Sequence, residues 1–316
     1  MNIAHINCEI LKTTGAEIMT NIAVDATCTR EIVDTIANEY ARRCEARLGE
    51  YLEAMYLFGS YAFGKISLDI PDVNYLLVLK EGVSPEVFLE NGRIVMELCN
   101  EFKDVATVMP ECRPNRYIYP LVKGADLDIT LCTQYVRMES RHGPVPFGWG
   151  WVLQGALSSR KMLFGKDVLA DVHQPPPTTD YIKTYFPATF SHIWLPLERA
   201  PLQYRLPEDS FLLLHESHKV AQMASIGFGV PLALTDAERK HTSWVTFAEN
   251  KHLLVEFYEE RYGADAARDV AMMLKIRECW REYRRDGGKA LEMYKVAVDL
   301  CTRVRAKYAE LVRSDH

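Results

Sequence analysis

The apolar positions in the first half of the chain alternate between two periods. From Arg30 onward, Ile32, Val33, Ile36 and Tyr40 recur at helical spacing with charged residues between them, which predicts an amphipathic helix to about Leu48 with Thr29 as its N-cap. A continuous apolar and aromatic run, Ala54 to Phe58, stops at Gly59 and Ser60 and predicts a buried strand that ends in a turn. A second run, Val73 to Leu79, predicts another strand. An amphipathic helix is expected from about Pro85 to Phe102, with further strands around Tyr117 to Val122 and Leu127 to Thr133.

Further along, the pattern changes. Gly143 to Gly150 is rich in Gly and Pro and predicts a loop, followed by a helix from near Trp151 that leads into Arg160 to Asp167. Pro175, Pro176 and Pro177 make a stiff extended break, and no strong strand signal lies beyond it. Helical stretches are readable at about Pro207 to Ser225, Asp236 to Tyr262, Ala264 to Arg284 and Gly288 to Val312, which predicts an all-α bundle. The expected organisation is a tail over 1–29, a mixed domain over 30–174 and a helical domain over 178–316, and 316 residues suit two domains. Met19 leaves open a start downstream of Met1.

Composition narrows the classes. At 48% hydrophobic and 25% charged residues, the chain reads as a folded globular protein. A net charge of -6 argues against coating nucleic acid by bulk charge. The uncharged run His142 to Ser159 holds four Gly and two Pro, so no membrane segment is expected, and the N-terminus lacks a basic and then apolar leader. The eight cysteines, at 8, 28, 44, 99, 112, 132, 279 and 301, form no CxxC pair; buried thiols and a cytoplasmic location are the expectation.

The segment with the clearest chemistry is Leu57 to Gly64, followed by Asp72 to Val78. A strand that ends in Gly59 and Ser60 and turns into a short helix offers backbone N–H groups, plus the Ser60 hydroxyl, to a phosphate. On the next strand Asp72 and Asn74 share a face, because side chains alternate with period two. On a third strand Asp126 and Asp128 share a face; Asp128, between Leu127 and Ile129, is preferred, with Asp126 as the alternate. If the strands pair, these oxygens converge on a divalent metal.

Gly59 and Ser60, followed about a dozen residues later by Asp72 and Asn74 on a strand, resemble the nucleotidyltransferase domain of the DNA polymerase beta superfamily, which includes minimal and aminoglycoside nucleotidyltransferases. The resemblance covers about residues 30 to 172 and is most specific over Leu57 to Leu79; Arg160 to Leu169 also looks like the segment after the family's catalytic sheet. It implies an α+β fold, a nucleotidyltransferase-like mixed sheet with flanking helices, followed by an all-α helical domain. It also implies transfer of a nucleoside monophosphate from a nucleoside triphosphate to an acceptor hydroxyl, with release of pyrophosphate. Carried over, Asp72 and Asp128 are catalytic, Gly59 and Ser60 bind the nucleotide, and Asp72, Asn74 and Asp128 hold Mg²⁺ or Mn²⁺. The family's pair is usually two acids, whereas residue 74 is Asn, so the shell carries two negative charges where the pattern has three. That departure motivates a second reading, a nucleotide-binding or interaction protein on a degenerate scaffold.

Other features weigh less. His215 and His218 lack the spacing of an HExxH zinc helix and are expected to form a polar face or an interdomain contact. Asp69 reads as a turn residue, Trp149 and Trp151 as packing residues, and Lys161 and Lys166 as surface lysines by default, with reach to a triphosphate as the alternative. From Asp265 to Arg313 there are 12 Lys and Arg against 8 Asp and Glu, which reads as a solvated helix face or as a surface for an anionic acceptor such as RNA. The acceptor stays open between a small molecule, a protein hydroxyl and an RNA end.

Overall fold

The computed structural model describes residues 26–110, 127–137, 157, 159–172, 175–206 and 208–313. The expected strands at Tyr117 to Val122, the Gly143 to Gly150 loop, Asp126, Trp149 and Trp151 lie outside the described residues.

Among the described residues, β1 (Leu52–Phe58), β2 (Asp72–Leu79), β3 (Thr107–Pro110), β4 (Asp128–Arg137) and β5 (Lys161–Gly165) form one mixed sheet in the order β3-β4-β2-β1-β5. β1 runs antiparallel to β2 and β5, while β4 runs parallel to both β2 and β3. Helices α1 (Ala26–Leu48) and α3 (Glu86–Phe102) cover one face, on which Val73, Tyr75, Leu77 and Leu79 of β2 join Ile36, Tyr40, Ile94 and Leu98 in one apolar cluster. α3 is amphipathic as expected, and its one buried amide, Asn91, accepts from Tyr40 Oη at 2.7 Å. The short α2 (Gly59–Ala62) follows β1 directly. The sheet flanked by helices and followed by an all-α region is the α+β architecture expected from the sequence.

Beyond residue 178 come α4 (Thr179–Gln203), α5 (Ser210–Gln222), a π-helical turn (Met223–Gly229), α6 (Val230–Ala233), α7 (Asp236–Arg239), α8 (Trp244–Glu249), α9 (Lys251–Tyr262), α10 (Ala264–Glu278), α11 (Trp280–Tyr283) and α12 (Gly287–Arg313). Their shared apolar cluster also takes in Ile70 and Met109 from the sheet region, so the two parts of the chain share packing.

Two expectations differ from the structure, and one helix is not anticipated from sequence. Thr29 is not a cap but lies buried inside α1, where its hydroxyl accepts from Arg281 Nη2 at 3.2 Å. Lys161–Gly165 is not part of a helix but an edge strand; Gly165 has φ +85°, and a Cβ there would sit 2.1 Å from the Glu53 carbonyl oxygen, so glycine alone permits that close pairing with β1. Thr179–Gln203 is one long helix although the prolines at 187, 196 and 201 argue against it from sequence.

At the π-helical turn, Tyr258 Oη donates to the Ser225 carbonyl at 3.0 Å, and a Cβ on Gly229 would lie 2.0 Å from that hydroxyl. Gly229→Ala is therefore expected to lower unfolding stability by about 1–3 kcal/mol through overpacking. Adding Tyr258→Phe, which removes the colliding oxygen, should recover part of the loss, so that the double variant is less destabilised than the sum of the singles in denaturant titration. Additive losses would show that the two positions do not collide.

Candidate functional site

Period-two alternation divides β2. Its odd-numbered residues face α1 and α3, while Leu76 and Val78 join a second cluster on the opposite face with Tyr56 and Phe58. Asp72 and Asn74 belong to this opposite face, at the strand's start. In register, Asp72 pairs with Thr130, Asn74 with Cys132 and Phe58, and Asp128 with Thr107. One end of the sheet thus gathers the Gly59–Ser60 turn, Asp72, Asn74 and Thr130, with Asp128 two residues before Thr130.

Gly59 is buried at φ +74°, and a Cβ there would meet Asn74 Nδ2 at 3.1 Å, so glycine is required both by the backbone and by the neighbouring amide. The turn is closed by the Lys65 N–H donating to the Ser60 carbonyl at 2.9 Å. Asn74 Nδ2 makes a long contact of 3.4 Å with the Asp72 carbonyl. Lys161 and Lys166 are exposed on and just after β5, and Lys161 pairs with Leu57, at the end of β1 nearest Gly59.

The helical region supplies what faces this sheet end. Lys219 of α5 places Nζ 2.5 Å from Asp72 Oδ2, with both side chains largely buried. Asp72 Oδ1 and Thr130 Oγ1 are buried and without a hydrogen-bond partner. Asp128 is 1% exposed; Arg284 Nη2 donates to its Oδ1 at 2.5 Å and Trp280 Nε1 to its Oδ2 at 2.8 Å. Burial raises its carboxyl above the ordinary range, while Arg284, Trp280 and Thr107 pull it down. Arg277, one helical turn before Arg281, is half-buried; desolvation lowers its guanidinium from the ordinary value, with Asp72 and Asp69 pulling it back up. Arg281 reaches the Leu68 carbonyl and the Thr29 hydroxyl, both at 3.2 Å.

His215 and His218 are buried and pack edge-on against Trp280 at ring-centroid distances of 5.8 and 5.7 Å. They lie at the contact between helices and sheet rather than on a solvent-facing side. Neither ring nitrogen of His215 has a hydrogen-bond partner, nor does Nδ1 of His218. Burial and the nearby Lys219 hold His215 down to about 3, against the pull of Asp72; burial and Arg277 push His218 down as well.

Among the sequence-predicted residues, Gly59, Ser60, Asp72 and Asn74 are brought to one sheet end, and Asp128 lies on the same face. A two-metal shell from Asp72, Asn74 and Asp128 does not fit this packing: both Asp128 oxygens accept N–H bonds from the helical region, and one Asp72 oxygen is held by an ammonium. Among the described residues no group of three or more His, Cys, Asp and Glu is placed to hold a metal ion. The residues that sequence reading missed are Lys219, Arg277, Trp280 and Arg284. Arg277, Trp280, Arg281 and Arg284 recur at helical spacing within the basic segment that reads as a solvated face, a pattern that does not itself distinguish water from the sheet toward which this face turns. Among the described cysteines, Cys44, Cys99, Cys132 and Cys301 are buried free thiols, as expected, whereas Cys279 is half-buried. No described helix is long and apolar enough to cross a membrane.

No family model and no curated protein matches the sequence. Among solved structures, spectinomycin adenyltransferase AAD(9) from Enterococcus faecialis, crystallised with ATP and spectinomycin, is similar over 86% of this chain and 99% of that chain, with 11% identity and a TM-score of 0.44.

The buried histidines generate a pH dependence. In the unfolded chain each imidazole takes up a proton near 6.5, whereas in the fold His215 does so only at about 3. The unfolded chain therefore binds more protons throughout that window, and stability falls as pH drops below 6.5. Between about pH 7.5 and about pH 5.5 the expected loss is roughly 1.4 kcal/mol per buried histidine, measured by urea unfolding at each pH. His215→Gln and His218→Gln should each flatten that slope; slopes equal to wild type would mean that the imidazoles take up protons alike in the folded and unfolded chain.

Proposed function

We propose that this chain binds a nucleoside triphosphate at the sheet end formed by Gly59, Ser60, Asp72 and Asn74, and transfers its nucleoside monophosphate to an acceptor hydroxyl with release of pyrophosphate. The observation that carries the reading is the juxtaposition of the Gly59–Ser60 turn and the Asp72 strand with cations from the helical region. A triphosphate needs backbone donors and positive charge, and both are at hand: the turn after β1 on one side, Lys219 and Arg277 on the other. An ammonium has three protons to donate, so Lys219 can bridge Asp72 and a phosphate oxygen together.

The chemistry is an in-line displacement. The acceptor oxygen forms a bond to the α-phosphorus as the bond to the pyrophosphate oxygen breaks; the acceptor proton passes to the Asp72 carboxylate, whose Oδ1 is unengaged, and Lys219 and Arg277 meet the charge that develops on pyrophosphate. Mg²⁺ or Mn²⁺ belongs to the family's version of this step. Here Asp72 Oδ1 is the carboxylate oxygen among Asp72 and Asp128 that no donor holds. The acceptor class, whether a small molecule, a protein hydroxyl or an RNA end, is not set by these residues.

The second reading, nucleotide binding without turnover on the same scaffold, is favoured by one observation: Asp128, carried over as catalytic, is closed off by Arg284 and Trp280.

Titrating the four nucleoside triphosphates by calorimetry tests the site. Gly59→Ala, strained at positive φ, and Arg277→Gln, which removes a guanidinium, should each weaken binding about tenfold, or roughly 1.4 kcal/mol. Wild-type affinity in both variants would remove this sheet end from nucleotide binding. Pyrophosphate release with a panel of hydroxyl acceptors then separates the readings: release that is lost in Asp72→Asn supports transfer, and binding with no release under any pairing supports the second reading.

A further inference from the structure

We propose that Lys219 and Arg284 are built-in counterions, standing where a nucleotidyltransferase-like site otherwise draws divalent cations, so that this site is complete without a metal ion. The inference rests on the nucleotide reading only for what the site binds, and its test uses no nucleotide.

At Asp128 the replacement is the more complete. Its side chain is fully buried, Arg284 is 4% exposed, and guanidinium and indole N–H take one carboxylate oxygen each. A metal ion at Asp128 would have to displace both donors and leave the Arg284 charge buried without its counterion, which is strongly unfavourable in a low-dielectric interior. At Asp72 the ammonium of Lys219 occupies Oδ2 at 2.5 Å, so a divalent ion approaching Oδ1 meets a full positive charge within a few ångströms.

Residue 74 completes the charge balance. With Asn in place of an acid, the two carboxylates of this face are matched by two cations, and Arg277 adds a third positive group on the helical side. Even with Asp69, whose carboxylate also acts on Arg277, these groups carry no surplus negative charge to attract a metal, and an acid at 74 would add one. The cations come from two separate elements, α5 and the residue after α11, so the match is made by tertiary packing and not by a local helix pair.

Mn²⁺ titration of the full chain, followed by the electron paramagnetic resonance signal of the free ion and by thermal unfolding with and without chelator, tests this. Wild type should leave the free-ion signal unchanged and melt at the same temperature in Mn²⁺ and in EDTA. A specific site filled to about ten times its dissociation constant would instead shift the folded-to-unfolded ratio about elevenfold. Lys219→Met should melt lower in EDTA and gain saturable Mn²⁺ binding, which a second change, Asp72→Asn, removes. Saturable Mn²⁺ binding by wild type that is lost in Asp72→Asn or Asp128→Asn would overturn the proposal. A folded Lys219→Met that binds no Mn²⁺ would overturn it too, since the lysine would then not be what excludes the ion. If Lys219→Met does not fold, the near-isosteric Asp72→Asn and Asp128→Asn decide alone: a Mn²⁺ response as flat as wild type in both supports the proposal.

Discussion

A carboxylate buried beneath helices has to meet positive charge or N–H groups, and Asp128 is the point at which this sheet imposes that requirement on the rest of the chain. Beside a hydrogen bond with Thr107 on the neighbouring strand, its oxygens accept from residues some 150 positions later, Trp280 and Arg284. Breaking such a pair from one side typically costs about 3–5 kcal/mol, a large share of a domain's stability. The pair therefore fixes where α11 lies. Arg281, between the two, adds bonds to Thr29 and to the Leu68 carbonyl and draws the start of α1 and the segment before β2 into the same junction.

The same constraint explains why one sheet carries two kinds of surface. The β2 residues that face α1 and α3 are Val, Tyr and Leu, and the cluster they join is apolar except for Tyr40 and its hydrogen-bonded neighbours Asn91 and Thr133. The opposite face begins polar, with Asp72 and Asn74, and becomes apolar from Leu76 on. Helices that cover such a face have to be apolar toward one end and cationic toward the other. α5 meets this demand over a short length, with Phe211, Leu213 and Leu214 in its first half and His215, His218 and Lys219 in its second, all buried. Burial, and after it the positive charge of Lys219 beside His215 and of Arg277 beside His218, pushes both imidazoles down from their ordinary value.

What could be read from sequence follows the range of the forces involved. β1, β2, α3 and the Gly59–Ser60 turn were legible because their signals are local: a continuous apolar run, period-two alternation, a helical apolar stripe, and a glycine where φ must be positive. β5 was not, since its pairing depends on Gly165 approaching the Glu53 carbonyl, a contact across more than a hundred residues. α4 was hidden by three prolines that its tertiary packing overrides through Phe186, Phe190 and Leu197. At the site, Gly59, Ser60, Asp72 and Asn74 could be named from spacing. Lys219, Trp280 and Arg284 could not, because a lysine on a helix and arginines in a basic segment look the same in sequence whether they face water or a buried carboxylate.

Stability by itself does not account for this charged seam. Buried ion pairs replaced together by well-packed apolar groups are often as stable or more so, because desolvating both charges offsets most of their attraction. Well-packed apolar side chains of similar volume at 72, 128, 219 and 284 would join the sheet to the helices without that desolvation cost, and would leave no unpartnered oxygen at position 72. Among the buried polar atoms without a hydrogen-bond partner are Asp72 Oδ1 and Thr130 Oγ1, on residues paired in register, and both ring nitrogens of His215 on α5. Unmet hydrogen-bonding capacity in a buried position destabilises a fold, so the unpartnered atoms of Asp72, Thr130 and His215 are a cost that packing alone does not explain.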